Sequence, residues 1–392
     1  MTVSREVELS GHIIDSGMMQ ACFGAIMDLG GSFEVDEFRI GRSEVEESYA
    51  RLTVLAEDEA ELRSIIHELH QNGANPSHPV DASLEPAPDD QVVPPDFYST
   101  TNHPTEIRYE GEWLPVDRIE MDCAVVIEEG DSVVTGETGI RVRPPERPRD
   151  REGAFGFMQG GVSSERPSES TIGQVAEAIA ETKREGGSVL AVCGPALVHS
   201  GAREDLARLV REGYVDMLSA GNGFAVHDLE QDLYGTSLGM DTETLDHPRK
   251  GHKHHIYTIS EVIRAGGIEE AVDAGLIDSG VMYECVANDR PYVLAGSIRD
   301  DGPLPDTITD AVEAQNAIRD QAHEADLVLM LSTLLHSVAV GNCLSSTTRV
   351  ICVDINPATV TQLLDRGSAQ AVGMVTDIGT FIPILAEQLL DE

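Results

Sequence analysis

The chain has 392 residues, of which 69 are acidic and 27 basic for a net charge of −42, yet 41% are hydrophobic. That apolar content supports one large core or two to three ordinary ones and excludes a disordered chain, while the uniform negative charge excludes nucleic acid and anionic membranes as partners. Lysine is confined to Lys183, Lys250 and Lys253 and the acids are spread evenly, as expected of a halophilic surface working in a salt-filled cytoplasm; melting temperature should rise between low and multimolar KCl, and coincident melts would remove that reading.

The first residues, "MTVSREVELSGHIIDSG", carry charge within ten positions and lack a basic-then-apolar leader, and no apolar run is long enough to span a bilayer. A soluble cytoplasmic protein is expected. "REVELSGHII" alternates with period two, "SGMMQACFGAIMDLGG" has a helical face ending in glycines, and "SYARLTVLA" and "DEAELRSIIHELHQNGA" repeat the pair. These predict a small α+β module of βαββα type over residues 1–76, with Asp58 capping the second helix and Glu61 completing a capping box.

A Pro-rich stretch, "NPSHPVDASLEPAPDDQVVPPDFYSTTNHP", follows, and then short alternating segments broken by Gly and Asp turns. Residues 77–168 are therefore expected to be an extended linker plus a small β unit. From 169 to 392 strands and helices alternate: "SVLAVCG", "VDMLSAG", "PYVLAG", "ADLVLMLS" and "TRVICVDI" are strands separated by helical patterns. The fold class is α/β, a Rossmann-like doubly wound parallel sheet, and chemistry belongs in the loops beyond the strand C-termini.

Several strand ends carry candidate residues. Asp354 closes "TRVICVDINPATV", where an acid binds a ribose diol or caps the next helix, although no G-x-G-x-x-G phosphate loop is present. Ser332, Thr333 and His336 follow "LMLS", facing an anion or capping a helix. Asn222 lies between Gly221 and Gly223 in "SAGNGFAVHDLE", where the backbone can approach a ligand. "AGSIRDDGPLPD" offers Asp300 and Asp301, as ligand carboxylates or as a turn. Cys285 in "GVMYECVANDRPY" is a buried thiol or a proton relay.

"HPRKGHKHHIYT" gathers Lys250 and Lys253 with His247, His252, His254 and His255. No H-E-x-x-H spacing or cysteine pair completes a metal site, so no metal is expected, and the six cysteines lack the C-x-x-C spacing of zinc or redox sites. Lys253 among imidazoles suits imine chemistry or proton transfer.

Together these motifs carry a resemblance. "GHKHHI" followed by "RPYVLAGSIRDDG" is locally similar to deoxyhypusine synthase. Over nearly the whole chain, "GHIIDSG", "GGSFEVDEFRIG", "SAGNGFAVHDLEQDLYGTSLGMD", "YECVANDRPYVLAGSIRDDGPLPD" and "LHSVAVGNCLSSTTRVICVDINPATVTQLLDRGSAQAVGMVTDIG" resemble the LOR/SDH-region ornithine cyclodeaminases, including the C-terminal part of bifunctional arginine dihydrolase/ornithine cyclodeaminases. The resemblance implies an NAD-dependent ammonia-lyase that turns L-ornithine into L-proline and ammonia, with no arginine hydrolysis expected. It implies NAD contacts at Asn222, Gly223, Asp301, Thr333, Leu334, Leu335, His336, Asp354, Met374, Asp377 and Ile378. Proton shuttling would fall to Lys253, His255, Cys285 and Asp301, and a homodimer or homotetramer is expected. The alternatives are deoxyhypusine-synthase-like or saccharopine-type imine chemistry on another amine, and a non-catalytic NAD and amino-acid sensor.

Overall fold

The computed structural model describes residues 3–14, 16–41, 46–98, 103–117, 119, 127–143, 169–241, 253–366 and 371–390. The chain separates into two compact units, Met1–Gly156 with Ser345–Thr347, and Phe157–Leu344 with Thr348–Glu392.

In the first unit, β1 (Val3–Gly11), α1 (Met18–Asp28), β2 (Ser32–Arg39), β3 (Ser48–Ala56), α2 (Glu59–Gln71) and β4 (Asn75–Pro76) form a sandwich on an antiparallel sheet of order β2-β3-β1-β4. Every second residue of β3 is buried, because successive side chains face opposite sides of a strand. The inward Leu52 and Val54 join Val7 and Leu9 of β1 and Ile65, Ile66 and Leu69 of α2 in one core. Asp58 caps α2, accepting from the Ala60 and Glu61 N–H groups at 3.0 and 2.9 Å. Glu61 reaches back to the N–H of Glu57 at 2.8 Å, so the expected box closes one residue further out.

His70 on α2 is 1% exposed, and burial, helped by the charges of His67 and Arg5, holds its imidazole down at about 3. An unfolded histidine titrates at about 6.5, so in the window between those values the unfolded chain binds the extra proton and stability is lost as pH falls. His70→Leu should remove about 3 kcal/mol of the loss in unfolding free energy between about pH 7 and pH 4. Urea titrations across that range measure it, and a variant with the parent's slope would exclude His70.

Five short strands complete the described part of this unit: β5 (Ser83–Pro86), β6 (Thr105–Tyr109), β7 (Glu112–Pro115), β8 (Ser132–Thr135) and β9 (Ile140–Val142). They pair antiparallel as β5-β8 and β7-β6-β9. Within the region expected to hold the linker and small β unit, residues 120–126 and 144–168 lie outside the described residues.

The second unit opens with α3 (Glu169–Arg184), β10 (Val189–Cys193), α4 (Ala196–His199), α5 (Arg203–Arg211), β11 (Met217–Gly221), α6 (Asn222–Tyr234), β12 (Thr236–Ser237) and β13 (Met240–Asp241). It continues through α7 (His254–Ala265), α8 (Ile268–Asp273), α9 (Val281–Ala287), β14 (Tyr292–Ala295), β15 (Thr307–Ile308), α10 (Ala311–Glu324), β16 (Leu327–Leu331) and α11 (Leu335–Asn342). β17 (Arg349–Asp354), α12 (Pro357–Arg366), β18 (Ala371–Val375) and α13 (Ile378–Leu390) close it. Seven strands form a parallel sheet of order β15-β14-β11-β10-β16-β17-β18. "VLAVC" and "LVLML" are buried at every position, as central strands covered on both faces must be.

The chain winds outward from β10 through β11, β14 and β15, then returns to β16 on the other side of β10. This reversal makes the β10/β16 boundary the topological switch point, beyond which ligands bind in such sheets. There the turns after the two strands nearly touch. A Cβ at Gly194 would lie 2.1 Å from the Ser332 carbonyl oxygen, and Ser332 itself takes a φ of 54°; only glycine permits that approach.

Beyond the helix that starts at Asn222, the sequence pattern marks no further helix before β14, whereas the structure has α7, α8 and α9 there. Glycines at positive φ, Gly266 and Gly280, separate them. His254 and His255 are thus helical, and Lys253 stands at the N-cap of α7. Lys250, His247 and His252 lie outside the described residues. Among the described residues no helix is long and apolar enough to cross a membrane.

Candidate functional site

On one side of the switch point, β16, α11 and β17 make a strand–helix–strand unit. The chain leaves β16 through Ser332 and Thr333, and Leu334 and the 81% exposed Leu335 open α11 toward solvent. His336 Nε2 and Ser219 Oγ share a hydrogen bond of 2.8 Å. Since Ser219 belongs to β11, this bond crosses over β10 and joins the two halves of the sheet. Burial pulls the His336 imidazole down to about 4, so it is neutral at neutral pH. Asp354 ends β17 about 20 residues after the Ser332 turn, the offset of a ribose-binding acid in a dinucleotide unit. Its Oδ1 also accepts the Asn356 N–H at 2.8 Å, turning the chain toward α12.

The other side is built on α6. Asn222 Nδ2 donates to the Gly302 carbonyl at 3.0 Å, and Oδ1 accepts from the Leu304 N–H and the Thr307 hydroxyl at 2.9 and 2.8 Å. With both Oδ1 acceptor sites used, this buried side chain pins the loop that carries Asp301 over the start of α6. Gly223, next along, would bring a Cβ within 3.9 Å of Pro195 in the turn after β10. Asp301, 71% exposed, pairs with His255 Nε2 at 3.3 Å, and Lys253 is exposed two residues before that histidine. His255 Nδ1 is buried without a hydrogen-bond partner.

Behind Lys253 lies a polar network that sequence spacing does not signal. Glu230 of α6 is fully buried and accepts from His227 Nδ1 at 3.2 Å, the Thr236 hydroxyl at 2.8 Å and the N–H groups of Leu238 and Gly239 at 3.1 and 2.8 Å. Burial alone would raise its carboxyl, but these donors outweigh it and the pKa is lowered. Thr236 Oγ1 in turn meets His254 Nδ1 at 2.8 Å, and His254 stacks on Tyr234 with ring centroids 4.8 Å apart. On the far side of the strand pair, Ser237 Oγ meets His199 Nδ1 at 2.6 Å. The first turn of α7 is thereby fastened to α6 and β12. The only sequence signal was the string of polar residues on α6, "NGFAVHDLEQDLY", whose buried face would otherwise be apolar.

Other predicted residues stand apart from this group. Cys285 lies inside α9, 1% exposed, and burial, with the charges of Asp228 and Glu284, pushes its thiol far up. A group so reluctant to ionise is a poor proton relay, which corrects that expectation. Met374 and Ile378 have buried side chains, and Asp377 caps α13 through the Gly379 N–H at 3.2 Å. Among the described residues no group of three or more histidine, cysteine or acidic side chains is arranged to hold a metal.

The chain has relatives of known family and structure. Residues 173–385 match the profile described as "Arginine dihydrolase ArgZ-like, C-terminal, Rossmann fold", residues 104–172 its "first region", and residues 4–103 the "LOR/SDH bifunctional enzyme conserved region". Ornithine cyclodeaminases of Methanopyrus kandleri and Methanothermobacter thermautotrophicus are each 51% identical over 98% of this chain and 96% and 98% of their own lengths. The crystal structure of apo ArgZ, an arginine dihydrolase from the ornithine–ammonia cycle in cyanobacteria, superposes with a TM-score of 0.83 at 38% identity, over 100% of this chain and 58% of its own. The ternary complex of AgrE with ornithine and NAD⁺ gives 0.56 at 41% identity, over 99% and 57%. With about half of its residues identical to those archaeal enzymes over almost their entire length, the chain belongs to the ArgZ-like ornithine cyclodeaminase family.

Proposed function

We propose that this protein is an NAD-dependent ornithine cyclodeaminase that converts L-ornithine to L-proline and ammonia. The observation that carries the reading is the convergence, at the C-terminal edge of one parallel sheet, of an acid-ended strand–helix–strand unit with the Lys253, His255 and Asp301 group. The AgrE complex with ornithine and NAD⁺ supports the choice of ligands.

The residues fit a dinucleotide. Asp354 stands where a ribose diol is held, and its charge disfavours a 2′-phosphate, so NAD is chosen over NADP. The turn from Thr333 to His336 offers backbone N–H groups at the start of α11 in place of a glycine-rich phosphate loop. Leu334 and Leu335 give the crevice apolar walls, and Met374, Asp377 and Ile378 border it through the β18 turn. The chemistry NAD supplies when bound is hydride acceptance from the ornithine Cα and return of that hydride after ring closure.

The protein's own task is to move protons between two amines. Ring closure forms a bond from the δ-nitrogen to Cα and breaks the bond from Cα to the α-nitrogen, which leaves as ammonia. The attacking nitrogen must lose a proton and the departing one must gain it. Lys253 and His255, two residues apart at the start of α7, carry those transfers, and Asp301 orients the imidazole at 3.3 Å. Asn222 is a positioning residue that holds the Asp301 loop in place.

Incubation with L-ornithine and NAD⁺ in concentrated KCl tests the reading. Proline and ammonia should appear in equal amounts with no lasting NADH, whereas bound NAD with neither product would reject it. Asp354→Ala should weaken NAD binding by roughly 1.5–3 kcal/mol, about 10- to 150-fold, in a fluorescence titration. Unchanged affinity would move the ribose contact elsewhere.

A further inference from the structure

The first unit holds a cavity of about 380 Å³, lined by none of the residues assigned to the reaction. It lies between β1, the end of α2 and the turn after β8, and its volume falls in the range of small-molecule sites. Apolar wall is supplied by Val7, Ile66 and Val80, while Arg5 and Glu137 bring opposite charges to the same space.

Glu137 is the informative group. Its Oε1 pairs with His67 Nδ1 at 3.3 Å, but its Oε2 is buried with no hydrogen-bond partner. The nearest ring nitrogen, His70 Nδ1, is 3.8 Å away, beyond hydrogen-bond reach. A buried carboxylate oxygen without a donor costs free energy that a bound cation or hydrogen-bond donor recovers. His70 is neutral at neutral pH and does not supply the missing charge. Arg5, which also lines the cavity, spends one guanidinium nitrogen on Glu59 at 3.0 Å and has further donors in its fork. The lining therefore offers an acceptor for an ammonium, donors for a carboxylate and apolar surface for a side chain.

We propose that this cavity is a second small-molecule site that takes a free α-amino acid as its zwitterion, with the ammonium against Glu137 and the carboxylate toward Arg5. The site belongs to the N-terminal unit and is independent of the reaction assigned to the parallel sheet.

Hydrogen exchange of the full chain, read by mass spectrometry with L-proline or L-arginine and no NAD, tests it. Exchange in peptides covering residues 3–11 and 132–142 should slow, and putrescine or succinate, each bearing one of the two charges, should protect far less. Glu137→Gln and Arg5→Gln should each abolish the protection while circular dichroism shows the parent fold. No slowing with either amino acid, equal slowing by KCl alone, or protection that survives both substitutions would overturn the proposal. If Glu137→Gln fails to fold, the Arg5→Gln result decides.

Discussion

Lys253→Ala should lower ornithine turnover by about 10²- to 10⁴-fold, the range lost with a positioned proton-transfer group, while NAD affinity stays at the parent value. The size of the effect follows from how the amine is held. Lys253 caps α7, whose next residue, His254, is hydrogen-bonded to Thr236 and stacked on Tyr234, and whose following residue, His255, meets Asp301. The exposed ammonium thus projects from a backbone fixed on three sides, and pre-organised groups lose more when removed than mobile ones. The loss should fall in kcat, because the lysine serves bond changes that ground-state ornithine does not yet show. His254→Ala should reproduce part of the loss by loosening the helix start. Full turnover by Lys253→Ala would remove the lysine from the reaction and leave His255 and Asp301 as the proton carriers to test.

Much of the second unit is legible because buried parallel strands read as unbroken apolar runs. "MLSAG", "LVLML" and "RVICVD" stand out against the charged helices, and their ends mark Asn222, Ser332 and Asp354. The same argument fails between 236 and 291. There α7, α8 and α9 are glycine-bounded helices that pack on α5, α6 and one another, and their stability comes from that packing rather than from their own periodicity. The Glu230 network is hidden for a related reason. His199, Glu230, Ser237 and His254 lie far apart in sequence, and only the α6–β12–α7 arrangement brings them together. Asn222 shows the opposite limit: its position at a strand end was readable, but its commitment to Gly302, Leu304 and Thr307 was not. Cys285 is readable from sequence as a buried thiol or a relay, and its burial in α9 matches the first.

Asp228→Ala should destabilise the chain by about 3–5 kcal/mol, lowering the melting temperature on the order of 10 °C, although Asp228 touches none of the proposed catalytic groups. The carboxylate is fully buried on α6, where it accepts from Arg203 Nε at 2.7 Å and from the Val281 and Met282 N–H groups at 3.1 and 2.8 Å. Burial pushes its carboxyl up, against which Arg203 and the two N–H groups pull. Arg203, only 3% exposed, also donates to the carbonyls of Asp228 and Ser279 at 3.1 and 2.9 Å. Removing the acid deprives the buried guanidinium of its buried counter-charge, leaving it the exposed Glu204 carboxylate, and strands two helix N–H groups at once, which costs far more than a surface ion pair. Arg203→Met combined with Asp228→Leu should recover part of the loss, since the buried guanidinium then leaves together with its buried partner. Gly280→Ala attacks the same node from the backbone: its φ is 106°, and the added Cβ would lie 2.1 Å from Arg203 Nη2 and 2.8 Å from Asp228 Oδ1. Because α6 carries both Asn222 and Glu230, a loosened node should also raise exchange at the Asp301 loop before the sheet melts. A loss below about 1 kcal/mol for Asp228→Ala, within the range of an ordinary surface contact, would show that water reaches Arg203 and that the node is not what holds α5, α6 and α9 together.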